Sequence, residues 1–111
     1  MITTHVLDTS KGRPAAGVPV ELEQREGKGW KKLGQGVTDA EGRLRTLLQQ
    51  GTAVERGVYR LTFDTGAYFG ASGTRAFFPE VRIVFEVHDA GVHHHVPLLL
   101  SPFGYSTYRG S

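Results

Sequence analysis

The chain contains no cysteine in its 111 residues. Disulfides, a thiolate nucleophile and cysteine-held zinc are thereby excluded, and the redox state of its compartment leaves no mark on the composition. An excess of one charge is also missing, because 13 Lys and Arg stand against 11 Asp and Glu for a formal +2. The signs are mixed along the chain, with Glu21, Glu23 and Glu26 beside Arg25, Lys28, Lys31 and Lys32. Such mixing describes a solvated surface rather than a nucleic-acid footprint, so no nucleic-acid partner is expected. No apolar run approaches the ~20 residues of a membrane span. No basic-then-apolar leader precedes Thr3, and Arg109-Gly110-Ser111 is not a peroxisomal address. The resulting expectations are no membrane association, a mature chain that starts here and a cytoplasmic location.

Glycine is abundant. Its 15 residues are about twice the usual share, which favours many turns. With 39% apolar and 22% charged residues the chain reads as a folded protein. Its length fits one domain, residues 1–111, burying about 65% of the surface that the unfolded chain exposes.

Period-2 alternation dominates the pattern. ITTHVLD, VPVELEQRE, WKKLGQGVT, RLRTLL, GVYRLTFDT, FPEVRIVFEV, HHHVPLLL and GYSTYR read as short strands, separated by turn-forming clusters such as Glu26-Gly27-Lys28-Gly29 and Asp39-Ala40-Glu41-Gly42. GAYFGASG is the one helix candidate. This tally predicts an all-β fold, an antiparallel sandwich. Pro97 lacks an N–H donor, which places its strand at an edge or beside a bulge.

In an extended HHHVPLLL, His94, Val96, Leu98 and Leu100 face the core, while His93 and His95 share the opposite surface. The same alternation separates His5 and Leu7 from Val6, sets Ser106 with Tyr108, and leaves Arg43 just after a turn glycine. A neutral imidazole accepts a proton from water, and with an ordinary pKa of 6.5 about nine in ten are neutral at pH 7.5. Arginine offers a planar, permanently charged fork for an anionic ring or a developing oxyanion. Together these groups suit hydrolysis of an amide in a small, flat, electron-poor ring by an activated water. A His-x-His strand pair is also a zinc-ligand spacing, but a third ligand would have to be His5 or His88.

Three stretches, THVLDTSKGRPAAGVPVEL, TDAEGR and HHHVPLLLSPFGYSTYRGS, closely resemble the 5-hydroxyisourate hydrolase family, the transthyretin-like enzymes of purine catabolism. The terminal YRGS is the most specific mark, because the hormone carrier transthyretin lacks it. The resemblance implies a transthyretin-like sandwich of two four-stranded sheets with one short helix, assembled as a homotetramer with active sites between its dimers. It implies His5, Arg43 and His95 as catalytic residues, His5, Arg43, Tyr108, His93 and Ser111 as substrate contacts, and no metal or cofactor. His94 stands where the family usually has tyrosine. The implied reaction opens the N1–C6 amide of 5-hydroxyisourate to give 2-oxo-4-hydroxy-4-carboxy-5-ureidoimidazoline. Which histidine serves as base stays open.

Two alternatives belong to other classes. A transthyretin-like carrier would bind a small ligand without catalysis, but imidazole and guanidinium groups facing an apolar ligand would lose hydration at about 1–3 kcal/mol apiece. A surface-protein sandwich module explains the middle of the chain and neither end.

Overall fold

The computed structural model describes all 111 residues as a sandwich of two sheets with one short helix. The strands are β1 (Ile2–Asp8), β2 (Arg13–Pro14), β3 (Pro19–Glu26), β4 (Gly29–Val37), β5 (Arg43–Leu44), β6 (Gly57–Phe63), β7 (Val81–Val87), β8 (His94–Ser101) and β9 (Gly104–Thr107). Helix α1 (Thr65–Ala71) lies where the one helix candidate was read. Asp64 starts it, its carboxylate accepting the Ala67 N–H at 3.0 Å.

One sheet runs β4-β3-β6-β7, entirely antiparallel. The other runs β2-β1-β8-β9, with β5 also on β1. The expected architecture therefore stands, with differences of detail. RLRTLL is a strand only at Arg43–Leu44, so two short strands share the outer edge of β1 and that sheet has five strands. Strands β1 and β8 pair in parallel, the exception in an otherwise antiparallel fold. β8 is also interior, with β1 on one side and β9 on the other, so Pro97 is not on an edge strand. Its missing donor points toward β9, where the ladder lapses after Leu98–Thr107 and resumes at His95–Gly110. The Thr107 hydroxyl donates to the Pro97 carbonyl at 2.7 Å in that gap.

The core fills the space between the sheets. Val20, Leu22, Leu61, Phe63 and Val81 of one sheet meet Ile2, Val6, Val96, Leu98 and Leu100 of the other, all buried. Each belongs to the inward phase of its strand, which is why the alternation was readable. No helix is long and apolar enough to cross a membrane.

Asp8, fully buried at the end of β1, ties α1 to this sheet. Its carboxylate accepts from the Tyr68 hydroxyl at 2.7 Å, the Ser10 hydroxyl at 2.6 Å, and the Ser10 and Lys11 amides at 3.0 and 3.2 Å. Burial is the largest influence and pushes this carboxyl up, but the hydrogen bonds from Ser10, Tyr68 and Lys11 together outweigh it and hold the group below the usual range. Tyr68, half-buried and donating to Asp8, is pushed up to about 12, chiefly by desolvation. An acid depressed in the folded state stabilises above its unfolded pKa of about 3.9, and that contribution disappears as pH falls through the folded value. Chemical unfolding of wild type and Asp8→Asn should therefore show a wild-type advantage that is full at pH 6 and shrinks below about pH 4. An advantage independent of pH would mean that the ionised carboxylate is not what these donors stabilise.

Candidate active site

Pairing in the first sheet brings both ends of the chain to one place. Across the parallel β1–β8 ladder Thr3 lies opposite His95 and His5 opposite Pro97, and across β1–β5 His5 lies opposite Arg43. Directly opposed residues share a face, so His5 and Arg43 project to the same side. Arg43 is delivered by a tight turn in which the Asp39 carboxylate accepts the amides of Glu41 at 2.9 Å and Arg43 at 3.0 Å. Gly42 closes the turn at φ 76°, and a Cβ there would lie 2.3 Å from the Val6 carbonyl oxygen. No other residue fits that position without displacing β1.

A cleft of about 200 Å³ is lined by Thr3, Arg43, Arg45, His93, His95 and the terminal Ser111, among others. His95 is half-buried and His93 exposed. The Thr3 hydroxyl, with Thr3 only 4% exposed, lies 2.8 Å from His93 Nε2 and 2.7 Å from His95 Nδ1. His95 Nε2 has no hydrogen-bond partner in the protein. His5 borders this group with its Nε2 2.8 Å from the Glu41 carbonyl oxygen. A carbonyl only accepts, so His5 Nε2 carries the proton and, in the neutral ring, Nδ1 keeps the lone pair.

The His95 pKa lies below that of an ordinary histidine. Burial is the main cause, followed by the positive charges of His93, His5, Arg43 and Arg45. A neutral, half-buried imidazole among cations is a proton acceptor in an anion-attracting cleft. His94 faces the core at 5% exposure, as alternation predicts. Burial first, then the charge of Arg109, lowers its pKa, and its Nδ1 has no partner. His88 follows β7, strongly exposed beside Glu86 at 3.7 Å and away from the cleft. No group of three His, Cys, Asp or Glu side chains is arranged to hold a metal ion.

The C-terminal arm packs along His95. Gly110 N–H donates to the His95 carbonyl at 2.9 Å, and a Cβ on Gly110 would sit 2.6 Å from His95 Cδ2 and 3.2 Å from Pro97 Cγ. The glycine of the terminal tetrapeptide is thus required by close approach. Ser111 reaches the first cleft, whereas Tyr108, 57% exposed, borders a second cleft of about 260 Å³ with Ile83, Phe85, Arg109 and His95. Within one protomer, therefore, Arg43, His93, His95 and Ser111 line one cleft, His5 lies beside it opposite Arg43 without lining it, and Tyr108 lies across the arm with His95 as the shared wall.

Sequence reasoning missed Thr3 and Arg45. Period-2 alternation carried the signal for both, since Thr3 precedes His5 by two residues and Arg45 follows Arg43 by two around the buried Leu44.

The geometry has counterparts among known proteins. The 5-hydroxyisourate hydrolase of Salmonella dublin is 46% identical over 111 residues, covering 100% of this chain and 81% of that protein. The structure of Klebsiella pneumoniae 5-hydroxyisourate hydrolase superposes with a TM-score of 0.86 at 42% identity, covering 99% of this chain and 98% of that one. Transthyretin from Sparus aurata superposes with a TM-score of 0.91 at 37% identity, covering 98% and 95%. The model of the HIUase/Transthyretin family matches residues 2–110. On this evidence, with the chain's two ends meeting at one histidine- and arginine-lined cleft, the protein belongs to the HIUase/Transthyretin family.

Proposed function

We propose that the protein hydrolyses 5-hydroxyisourate to 2-oxo-4-hydroxy-4-carboxy-5-ureidoimidazoline in urate degradation. The observation that carries this reading is the convergence of Arg43, Arg45, His93 and His95 with the terminal Ser111 on one cleft. Full-length similarity to enzymes of that name supports it. The carrier alternative is disfavoured by the same cleft, whose guanidinium and imidazole groups would be stripped of water by an apolar ligand.

In this mechanism the guanidinium of Arg43 holds the anionic ring. His5 and His95 position a water, and the neutral imidazole of His95 takes its proton as the oxygen attacks C6. Charge developing on the carbonyl oxygen is met by Arg43, with Arg45 adding to the positive field. The N1–C6 bond then breaks, N1 receives a proton, and the new carboxyl group ionises to solvent. His93, Ser111 and Tyr108 contact the substrate, Tyr108 from across the C-terminal arm. No metal or cofactor takes part in this scheme.

The assembly belongs to the same proposal. The edge strands β7 and β9 are unpaired on their outer sides, and Val84 and Tyr105 on them are exposed apolar side chains. A homotetramer, a dimer of dimers with the clefts at the dimer–dimer interface, would cover such surfaces and bring the two clefts of each protomer into a common channel. The enzyme acts in the cytoplasm in this reading.

Absorbance decay of freshly generated 5-hydroxyisourate tests the proposal. His95→Ala should lower kcat/KM by about 10²–10⁴-fold, and Arg43→Ala by about 10²–10³-fold. His5→Ala should also fall well below wild type, with circular dichroism unchanged in all three. A wild-type rate no faster than the spontaneous decay would remove the enzyme, and full turnover in all three variants would displace the site.

Because the base must be neutral and the His95 pKa is depressed, the acidic limb of kcat/KM should lie below about pH 6.5. Arg45→Gln takes away a cation, raises the His95 pKa and should move that limb to higher pH. A shift the other way would contradict the assignment of His95 as base.

Gly110→Ala forces a methyl group against the His95 ring. The expected result is a loss in kcat of about tenfold or more with Tm within about 2 °C of wild type. Unaltered kcat would show that the arm does not set the position of His95.

A further inference from the structure

One hydroxyl stands between two imidazoles. Thr3 Oγ1 is 2.8 Å from His93 Nε2 and 2.7 Å from His95 Nδ1, while the two ring centroids are 6.2 Å apart. Thr3 is nearly fully buried and held in register by the β1–β8 ladder, and the next residue, Thr4, donates its hydroxyl to the Val96 carbonyl at 2.6 Å. The hydroxyl is therefore part of the sheet rather than a mobile surface group.

A hydroxyl has one proton. With both imidazoles neutral, Thr3 can donate to one ring nitrogen while accepting an N–H from the other, and it cannot donate to both. If Thr3 donates to His93 Nε2, His95 must present Nδ1–H and keeps its lone pair on Nε2, the nitrogen with no protein partner. If Thr3 donates to His95 Nδ1, then His93 presents Nε2–H and His95 carries its proton on Nε2. Whenever the hydroxyl proton is given to one ring, the other ring must present N–H to Thr3, which couples the two tautomers.

We infer that Thr3 and His93 are positioning residues that hold His95 in the tautomer with Nδ1–H on Thr3, so that His95 Nε2 serves first as base and then, as imidazolium, as acid in one turnover. The inference rests on the hydrolytic reading of this cleft, with His95 as base, and adds to it how that base is oriented and how its proton reaches the leaving nitrogen.

The protons balance at each step. Water loses one proton to His95 Nε2 as its oxygen bonds to C6. The imidazolium keeps its Nδ1–H on Thr3 Oγ1 and passes its Nε2 proton to the leaving N1 as the N1–C6 bond breaks, which returns His95 to the neutral tautomer it started from. The remaining proton, from the new carboxylic acid, leaves to solvent. His93 suits the outer end of this hydrogen-bonded chain because it is exposed and His95 is not. The titratable and charged groups around His95 are His5 on β1, Arg43 on β5 with Arg45 beyond it, His93 before β8, and the terminal carboxylate at Ser111.

The test is steady-state kinetics on the full-length chain with 5-hydroxyisourate, comparing wild type with Thr3→Val, Thr3→Ser, His93→Ala and His95→Ala. Thr3→Val keeps shape and deletes the hydroxyl. It should lower kcat by about 10–100-fold with KM within about twofold, because the base remains but is no longer oriented. Thr3→Ser should recover most of the loss, an outcome that a packing role for Thr3 would not give. His93→Ala, at an exposed position, should reproduce the kcat loss in addition to the KM rise expected from removing a substrate contact, and it decides the matter even if Thr3→Val fails to fold. Nitrogen-15 spectra should show the His95 ring changing its tautomer balance in both variants. Wild-type kcat in His93→Ala, whatever its KM, would overturn this role for Thr3 and His93. If His95→Ala is inactive in that case, the hydrolytic reading survives. If His95→Ala is also fully active, the reading itself fails.

Discussion

The parallel pairing of β1 with β8 is the constraint on which the rest depends. It aligns seven residue pairs from Ile2–His94 to Asp8–Leu100, joining segments more than 90 residues apart in the chain. Closing a loop of that length costs about 4 kcal/mol in chain entropy, which local hydrogen bonds alone do not repay. The gain comes from the core, since Ile2, Val6, Val96, Leu98 and Leu100 are buried together by the same ladder. A one-residue slip would turn these side chains outward and carry His95 into the core. The register that fills the sandwich is therefore the register that puts Thr3 opposite His95 and His5 opposite Pro97. Packing and site geometry are specified by one set of contacts, so this cleft has no cheaper way to form than folding of the whole domain.

Much of this was legible because strand alternation is a local property. Period 2 placed His94 inside and His93 with His95 outside, and the turn-forming residues Asp39 to Gly42 located the turn that presents Arg43. What alternation does not encode is which strand lies next to which. The edge reading of Pro97 failed for that reason: β8 is interior, and the proline is accommodated by a gap in one neighbour's ladder rather than by solvent. The parallel sense of β1 and β8 and the shortening of RLRTLL to two paired residues are likewise properties of partners, absent from either segment read alone. The family resemblance supplied the substrate, which no periodicity could. Thr3 escaped notice because an isolated threonine in a strand is ordinary, and its meaning appears only when two imidazoles are found on either side of its hydroxyl.

The gap at Pro97 also shapes the arm that follows. Without a donor at Pro97 the ladder cannot run continuously, and the last residues leave β9 before returning at Gly110. That excursion places Tyr108 in the second cleft and Ser111 in the first, so a four-residue terminus reaches both sides of His95. Termini ordinarily fray. Here the amide of Gly110 and its bare Cα, close against an imidazole, give the end of the chain a fixed seat.

Three consecutive histidines show how far environment outweighs residue type. His93 is open to solvent, His94 is buried with an unpartnered Nδ1, and His95 lies between these extremes. Burying a polar nitrogen without a partner costs about 1–3 kcal/mol, and the depressed pKa of His94 keeps that cost from becoming the far larger one of a buried cation. His95 is displaced in the same direction with a different consequence, because its ring still reaches the cleft. Strand geometry alone, by turning successive side chains through half a turn, buries one imidazole and makes its neighbours part of the cleft wall.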